Sequence, residues 1–385
     1  MAISATLLSK ITAYRHEFHQ HPEVSAHEFE TTKRITEILE QWGITVNKTS
    51  LVTGVVATIE GTHPGKQVTL RADIDALPVT EATNLTFKSV NDGVMHACGH
   101  DIHLSSLLGA AYILQHERSE LTGTIQLLFQ PAEEAEHGAE KVLKAHVLDH
   151  TVAMASFHNN PNLPVGTIGL KAGSLMAGCY HFDITLHGAG AHGARPEKSR
   201  DPIVAQAAVV SALQTVVSRN VKPLEAAVVS VTQVHGGDTW NVLPETVTLG
   251  GTVRTFNDET TELVKRRMEQ LVMQVAAAYD VTADFDWAIG AYPIQNDADL
   301  VTAIKPTVSE HAKVITPEVS MAGEDFATFQ QRIPGAFAFV GSNGAPNAAD
   351  WHDSHFVGLD ATLAFGIQYF VDVAHVLGEY AVKLG

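Results

Sequence analysis

Cysteine is nearly absent from this chain: Cys98 and Cys179 are the only two in 385 residues. Two thiols cannot form the disulfide framework of a secreted domain, and a reducing, cytoplasmic setting is the expectation. Basic residues are also few, 25 Lys and Arg against 43 Asp and Glu, for a formal net charge of −18. Nucleic-acid binding and docking on an anionic membrane both need clustered Lys and Arg, so neither is expected. An anionic substrate stays open, because a cleft can be locally positive inside an acidic body. Charged residues of both signs total 18%, below the usual quarter, which excludes a disordered chain or a long solvated helix. No apolar run approaches ~18–20 residues. The stretch MAISATLLSKITAYRHEFHQHPE lacks a basic segment followed by an apolar core, so no signal peptide is expected either.

What is present points to a layered globular protein. The length suits two or three domains, and 45% hydrophobic residues can fill real cores. Residues 3–42 read as helical, with Leu7, Leu8, Ile11, Tyr14, Ile35, Ile38 and Leu39 at helical spacing. Strand-like runs at 54–61, 67–73, 124–130 and 152–158 alternate with helical ones at 103–116 and 137–148, the pattern of an α/β sheet covered by helices. After Gly178 the order changes to strand (179–188), helix (202–219), strands (226–234 and 245–256), helix (258–279) and strand (281–288). That is the split βαβ, or ferredoxin-like, unit. The helix–strand alternation resumes after Tyr292-Pro293 and ends in a long helix near 360–382. The expectation is an α/β domain (1–177 and 290–385) interrupted by a smaller inserted one (178–289).

The 21 histidines include a dense cluster, MHACGHDIH at 95–103. In an extended segment Cys98 and His100, two apart, face the same way. Together they can bind one metal, with Asp101 and His103 supporting it. The other reading is a buried inert thiol beside a helix-capping aspartate. In FQPAEE (129–134) Pro131 breaks the strand, so Glu133 and Glu134 can reach one cleft. Adjacent like charges are unfavourable without a cation or a proton. One Glu as ligand and one as general base resolves this; a solvated pair opening the next helix is the alternative. His158 closes the strand VAMASFH, and strand C-terminal ends are where open α/β sheets bind ligands. GEDF (323–326) and WHDSHF (351–356) lie downstream on similar loops. Gly188, Gly190 and Gly193 fit G-x-G-x-x-G, but Arg195-Pro196 and Asp201-Pro202 follow where a helix should open, so nucleotide binding is rejected. These glycines instead let a loop carry His192 toward a ligand.

These motifs resemble the zinc-aminoacylase and carboxypeptidase-type metallohydrolases. Within them the chain is most similar to the N-acyl-amino-acid amidohydrolases, among them hippurate, N-acetyl-diaminopimelate and auxin-conjugate hydrolases. The resemblance runs through FHQHPEVSAHEFET (18–31), RADIDALP (71–78), MHACGHDIH, FQPAEE, HNNPNLPVGT (158–167), GAGAHGARP (188–196), GTVRTF (251–256), AGEDF (322–326) and WHDSHF. It implies a zinc-exopeptidase-like catalytic domain with an inserted ferredoxin-like lid and dimerisation domain. It further implies two divalent ions (Zn, Mn, Ni or Co) on Cys98, His100, Glu134, His158 and His352, with Glu133 as general acid/base and Asp75 beside the metals. His192 would reach the partner subunit's site in a homodimer and steady an oxyanion. Asn241 and Arg254 would bind the substrate carboxylate. The substrate would be a small N-acyl amino acid or short peptide, hydrolysed at its amide bond; a dipeptidase or carboxypeptidase with the same metals is the alternative. The chain departs from the pattern at Glu197, where a histidine is usual, and at Asn159 and Asn160, where small or apolar residues are usual. His355 competes with His352, and the H-x-x-x-F spacing to Phe356 favours His352.

Overall fold

The computed structural model describes residues 3–135 and 137–383, which fall into two compact units. One takes the chain up to Gly173, then Gln295–Glu318 and Thr328 onward; the other takes Ser174–Ile294 and Val319–Ala327. The seams expected at 177/178 and 289/290 therefore shift by a few residues, and Val319–Ala327 joins the second unit. Backbone hydrogen bonds account for that: Ala177 donates to Ser320 at 2.9 Å, and Ser320 donates to Leu175 at 2.9 Å.

The first unit is built on an eight-stranded sheet. Its order is Thr45–Val46, Val55–Glu60, Thr122–Gln130, His63–Asp73, Thr151–Pro164, Gly335–Asn343, Thr167–Gly169 and Lys313–Ile315. The central strand His63–Asp73 runs parallel to both neighbours, and Gly335–Asn343 runs parallel to Thr151–Pro164. Such strands are covered on both faces, and here one face is apolar while the other carries buried polar Thr69, Arg71 and Asp73. Val68, Leu70, Ala72, Ile125, Leu127, Phe129, Ala153 and Ala155 are accordingly buried. Helix His100–His116 is buried along most of its length, and it crosses the C-terminal helix Thr362–Lys383 where glycines permit close approach. A Cβ on Gly109 would come 2.6 Å from Ile367 Cδ1, and one on Gly366 would overlap Ser106 Oγ and approach the Phe157 ring to 2.9 Å.

The single helical stretch expected over 3–42 is two helices, Ala5–Gln20 and Phe29–Gln41. His21-Pro22 ends the first, because Pro22 has no N–H and restricts its predecessor. The Glu23 carboxylate then accepts from the Thr31 N–H at 2.8 Å in the first turn of the second. The helix expected over 137–148 covers only Gly138–Lys144, and the strand expected to end at His158 continues to Pro164.

In the second unit, strands Gly178–His187, Ala227–His235, Thr246–Thr255 and Thr282–Ala291 alternate with helices Pro202–Asn220 and Asp258–Ala278 in βαββαβ order. All pairings are antiparallel, and the spatial order is fourth, first, third, second. Alternating Tyr180, Phe182, Ile184 and Leu186 meet Ala205, Val209, Leu213 and Val216 of one helix and Val264, Met268, Val272 and Ala276 of the other. After the glycine loop only a 3₁₀ turn, Pro196–Lys198, precedes the α-helix that opens at Pro202, where the Asp201 side chain caps it by accepting from Ile203 N–H at 2.9 Å. No helix among the described residues is long and apolar enough to cross a membrane.

The crossing at Gly366 yields a prediction. Gly366→Ala overfills the contact with Ser106 and Phe157 and is expected to cost about 1–3 kcal/mol. Equilibrium urea unfolding monitored by circular dichroism would read it; an unchanged midpoint would show that the helices separate freely.

Candidate metal centre

Three segments of the first unit converge. Cys98 precedes Gly99, whose φ of +82° makes a left-handed turn into helix His100–His116. The pair is thus not on an extended segment as the spacing suggested; a turn and a helix start bring Cys98 and His100 together. His158 lies within strand Thr151–Pro164, and its Nε2 is 3.3 Å from Cys98 Sγ. Glu133 and Glu134 follow Ala132, itself at φ +58°. The Glu28 carboxylate holds this turn, accepting the Ala132 N–H at 2.7 Å and the Thr53 hydroxyl at 2.8 Å. Asp75 Oδ2 accepts the Glu134 N–H at 3.0 Å and the Ser25 hydroxyl at 2.6 Å. His352, at φ +66°, brings Nε2 to 3.5 Å from Glu134 Oε2, and its N–H is held by Ala97 O at 2.9 Å. Left-handed backbone at non-glycine residues costs roughly 1–3 kcal/mol each and persists where neighbours dictate it.

Ring tautomers follow from the partners. His100 Nδ1 donates to Asp75 O at 2.9 Å, which leaves Nε2 buried, without a hydrogen bond, 3.7 Å from Glu134 Oε1. That oxygen is also buried and unpaired. His158 Nδ1 donates to Asn159 O at 2.7 Å, turning Nε2 toward the thiol. The ligand atoms of Cys98, His100 and His158 lie within 4.8 Å of one another, as do those of Cys98, Glu134 and His352 and of His100, Glu133 and Glu134. Two ligands of one tetrahedral zinc are about 3.3–3.6 Å apart when each bond is about 2.0–2.3 Å. The imidazole–carboxylate contacts of Glu134, 3.7 Å to His100 and 3.5 Å to His352, are too long for good hydrogen bonds and suit a shared cation, while Cys98 Sγ and His158 Nε2 lie at 3.3 Å, a length that fits either an S–H···N bond or two ligands of one ion. Asp73, His100 and His103 also converge. There, however, His103 Nδ1 donates to Asp73 at 2.6 Å and Nε2 accepts the Asn159 N–H at 2.9 Å, so His103 is fully engaged as a support.

Electrostatics agree. Burial, then Glu134, Glu133 and Asp73, pushes the Cys98 thiol well above its usual range. Burial also raises Glu134 against the pull of His100 and His352, and it drives His158 well down. His100 is the group that takes the positive charge. Burial opposes it, but Asp73, Asp75 and Glu134 outweigh that and raise it to about 10. A divalent cation inverts these preferences, because ligands bind it deprotonated.

Of the residues predicted from sequence, Cys98, His100, Glu133, Glu134, His158, His352 and Asp75 come together. His355 faces Asp353 and Ser354 instead. His192, Asn241 and Arg254 lie in the second unit. Val242 pairs with His192 in a two-stranded ribbon, where Gly193 N–H donates to Asn241 O at 2.8 Å. Arg254 sits on strand Thr246–Thr255 opposite Cys179 and donates to Val253 O at 3.0 Å. Sequence reasoning missed Glu28, Ser25 and Asp73. The last was within reach, since Arg71, Asp73 and Asp75 alternate along RADIDALP and share a face, with Arg71 paired to Asp73 at 2.6 Å.

Residues 69–375 match peptidase family M20/M25/M40. The chain is 45% identical over 369 residues to an N-acetyl-L-cysteine deacetylase of Bacillus subtilis (strain 168), covering 95% of this chain and 88% of that one. It is 38% identical over 344 residues to an N-acetyldiaminopimelate deacetylase of Leuconostoc mesenteroides, covering 86% and 89%. Among solved structures, the Bacillus subtilis YXEP protein, a dinuclear metal-binding peptidase from the M20 family, aligns with a TM-score of 0.89. Identity is 39%, over 98% of this chain and 99% of that one.

The helix start that carries His100 is tethered by buried charge, which makes stability depend on pH. Asp101 accepts from Arg15 Nε at 2.9 Å and pairs with His19 Nδ1 at 3.0 Å; Glu81 is 3.4 Å from His19 Nε2. Burial lowers the His19 pKa, but Asp101 and Glu81 overcome it and raise it from 6.5 to about 9. A raised pKa stabilises the fold fully below pH ~6.5 and loses that contribution as pH rises through ~9, about 3 kcal/mol in all. Urea unfolding of metal-free protein at pH 6 and pH 9.5 should show a loss that is about 3 kcal/mol smaller in His19→Gln than in the wild type, the remainder coming from His100, whose pKa is raised to about 10; equal losses would clear His19 of the role.

Proposed function

The chain belongs to peptidase family M20/M25/M40, and from that premise we propose that it hydrolyses the amide bond of N-acyl amino acids, releasing a carboxylate and a free amino acid. The observation that carries the reading is the pair of buried bare donors, His100 Nε2 and Glu134 Oε1, set among Cys98, His158 and His352. The two deacetylase relatives support the substrate class. Cys98, His100, Glu134, His158 and His352 would hold two divalent ions, Zn, Mn, Ni or Co. Glu134 turns its two oxygens toward different histidines of this set, His100 at 3.7 Å and His352 at 3.5 Å. When bound, the ions supply Lewis acidity at the scissile carbonyl and lower the pKa of a water from 15.7 to roughly 7.

The remaining work falls to side chains. Glu133, whose Oε2 is 4.0 Å from His100 Nε2, takes the proton of the attacking water and delivers it to the leaving amine. Asp75 fixes the His100 ring and the Glu134 backbone. His192 donates to the developing oxyanion, a contribution typically worth ~10²–10³-fold in rate. Arg254 and Asn241 take the substrate carboxylate; a guanidinium pairs bidentately with such a group. We further assign a homodimer through the second unit, whose edge strand Ala227–His235 offers unpaired backbone groups to a second copy. Both cysteines are free, and an oxidisable thiolate ligand suits a reducing, cytoplasmic compartment.

Metal-free protein reloaded with each of the four metals should hydrolyse N-acetyl and N-benzoyl amino acids in preference to dipeptides. The opposite preference would move the reading to a dipeptidase or carboxypeptidase. Glu133→Gln should keep both metals and lose turnover by ~10²–10⁴-fold; full turnover would remove Glu133 from the proton-transfer role. Mixing Glu133→Gln subunits with His192→Ala subunits tests the sharing of His192. Recovered activity is expected, and none after verified subunit exchange would confine His192 to its own chain.

A further inference from the structure

Asn159 directly follows the candidate ligand His158 on its strand, and every hydrogen-bonding group it owns is used. Its backbone N–H donates to His103 Nε2 at 2.9 Å, and its carbonyl accepts from both His158 Nδ1 at 2.7 Å and Trp351 Nε1 at 3.0 Å. The side-chain Nδ2 donates to Cys98 O at 2.6 Å and lies 3.0 Å from His103 Nε2, while Oδ1 accepts from Ser342 Oγ at 3.0 Å. The residue is fully buried. The amide orientation is dictated by these partners, since only the NH₂ end can face the Cys98 carbonyl.

We propose that Asn159 is the positioning residue that locks the Cys98–Gly99–His100 turn to the strand carrying His158 and to the loop carrying His352; the inference rests on the metal-ligand reading above. The segments meet at one side chain. The amide fills the space a Cβ on Gly99 would need, since that Cβ would overlap Asn159 Nδ2. The glycine between the two ligands is therefore a consequence of the amide as well as of φ +82°. Trp351, gripped by the Asn159 carbonyl, adjoins His352 and packs edge-on against the His158 ring with centroids 4.9 Å apart. His103, which takes the Asn159 N–H, passes the constraint on through Asp73 to Arg71. An apolar side chain would leave the Cys98 carbonyl buried without its donor, and the turn would move to find another.

Cobalt titration of metal-free protein tests this, because a cobalt–thiolate charge-transfer band reports the Cys98 bond itself. Wild type should take two ions and show the band, and Cys98→Ala should lack it. Asn159→Leu keeps the branched heavy-atom shape, with bulkier methyls, but loses the amide. It is expected to bind the Cys98-dependent ion ~10–100-fold more weakly with a shifted or absent band, while its circular dichroism spectrum stays native. Ser342→Ala, which removes only the partner of Oδ1, should weaken binding less and keep the band. It carries the test if Asn159→Leu does not fold, and a cobalt affinity identical to wild type in that variant would then overturn the inference. A folded Asn159→Leu with wild-type affinity and band would reduce Asn159 to filling space. A wild type that takes no cobalt would overturn the ligand reading itself, which is a separate and distinguishable failure.

Discussion

A thiol, two carboxylates and several imidazoles held together away from water cannot satisfy one another, and the first unit is organised around that imbalance. Burial alone penalises each charged form. Cys98 and Glu134 are accordingly raised, His158 is lowered, and His100 carries a proton to balance its acidic neighbours. A cluster left in this state should relax apart. His100 Nε2 and Glu134 Oε1 nevertheless stay buried without a hydrogen bond, facing each other at 3.7 Å in a scaffold that holds both residues from behind. A divalent cation is the species whose charge and donor preference fit what is held there.

The scaffold does this with a ring of fully engaged polar groups. Asp75 joins the His100 ring, the Ser25 hydroxyl and the Glu134 backbone. Glu28 grips the Ala132 N–H just before the glutamate pair, and Asp73 ties His103 to Arg71. Each of these supports is satisfied locally by hydrogen bonds, while His100 Nε2 and Glu134 Oε1 are left without one. The distinction between His100 and His103 follows. Both are buried imidazoles three residues apart on one helix, yet His103 has a partner at each nitrogen and His100 has one only at Nδ1. Partner count, rather than residue type, separates the candidate ligand from its support.

Much of this was legible in the sequence, and the limits have physical causes. The βαββαβ order of the second unit followed from strand alternation and helical spacing, because each element there has one covered face. The donor motifs were visible because Cys, His and Glu crowd short segments such as MHACGHDIH and FQPAEE. The break at His21-Pro22 was not read, since helical periodicity on both sides hid a short loop. The geometry joining Cys98 to His100 was misread as extended. Gly99 adopts a left-handed turn there for reasons that lie in Asn159, distant in sequence. Glu28 and Asn159 were invisible as supports for the same reason: their partners are 104 and 61 residues away, and nothing local marks the pairing. Likewise Val319–Ala327 joins the second unit through backbone bonds to 175–177, which no composition shift announces.

The residues singled out divide between the two units. All five candidate ligands, with Glu133 and Asp75, belong to the first unit, and so do the supports that hold them. His192, Asn241 and Arg254 belong to the second, whose own core of Phe182, Val209, Met268 and their neighbours has no part in holding the donors. On the proposed reading, changes in the inserted unit would alter how a substrate is held, whereas changes near Asp75, Glu28 or Asn159 would act on the donor cluster first. Glu197, within the 3₁₀ turn Pro196–Lys198, is a position of the former kind. It sets an exposed carboxylate in the unit proposed to read the substrate, while every donor of the cluster belongs to the first unit.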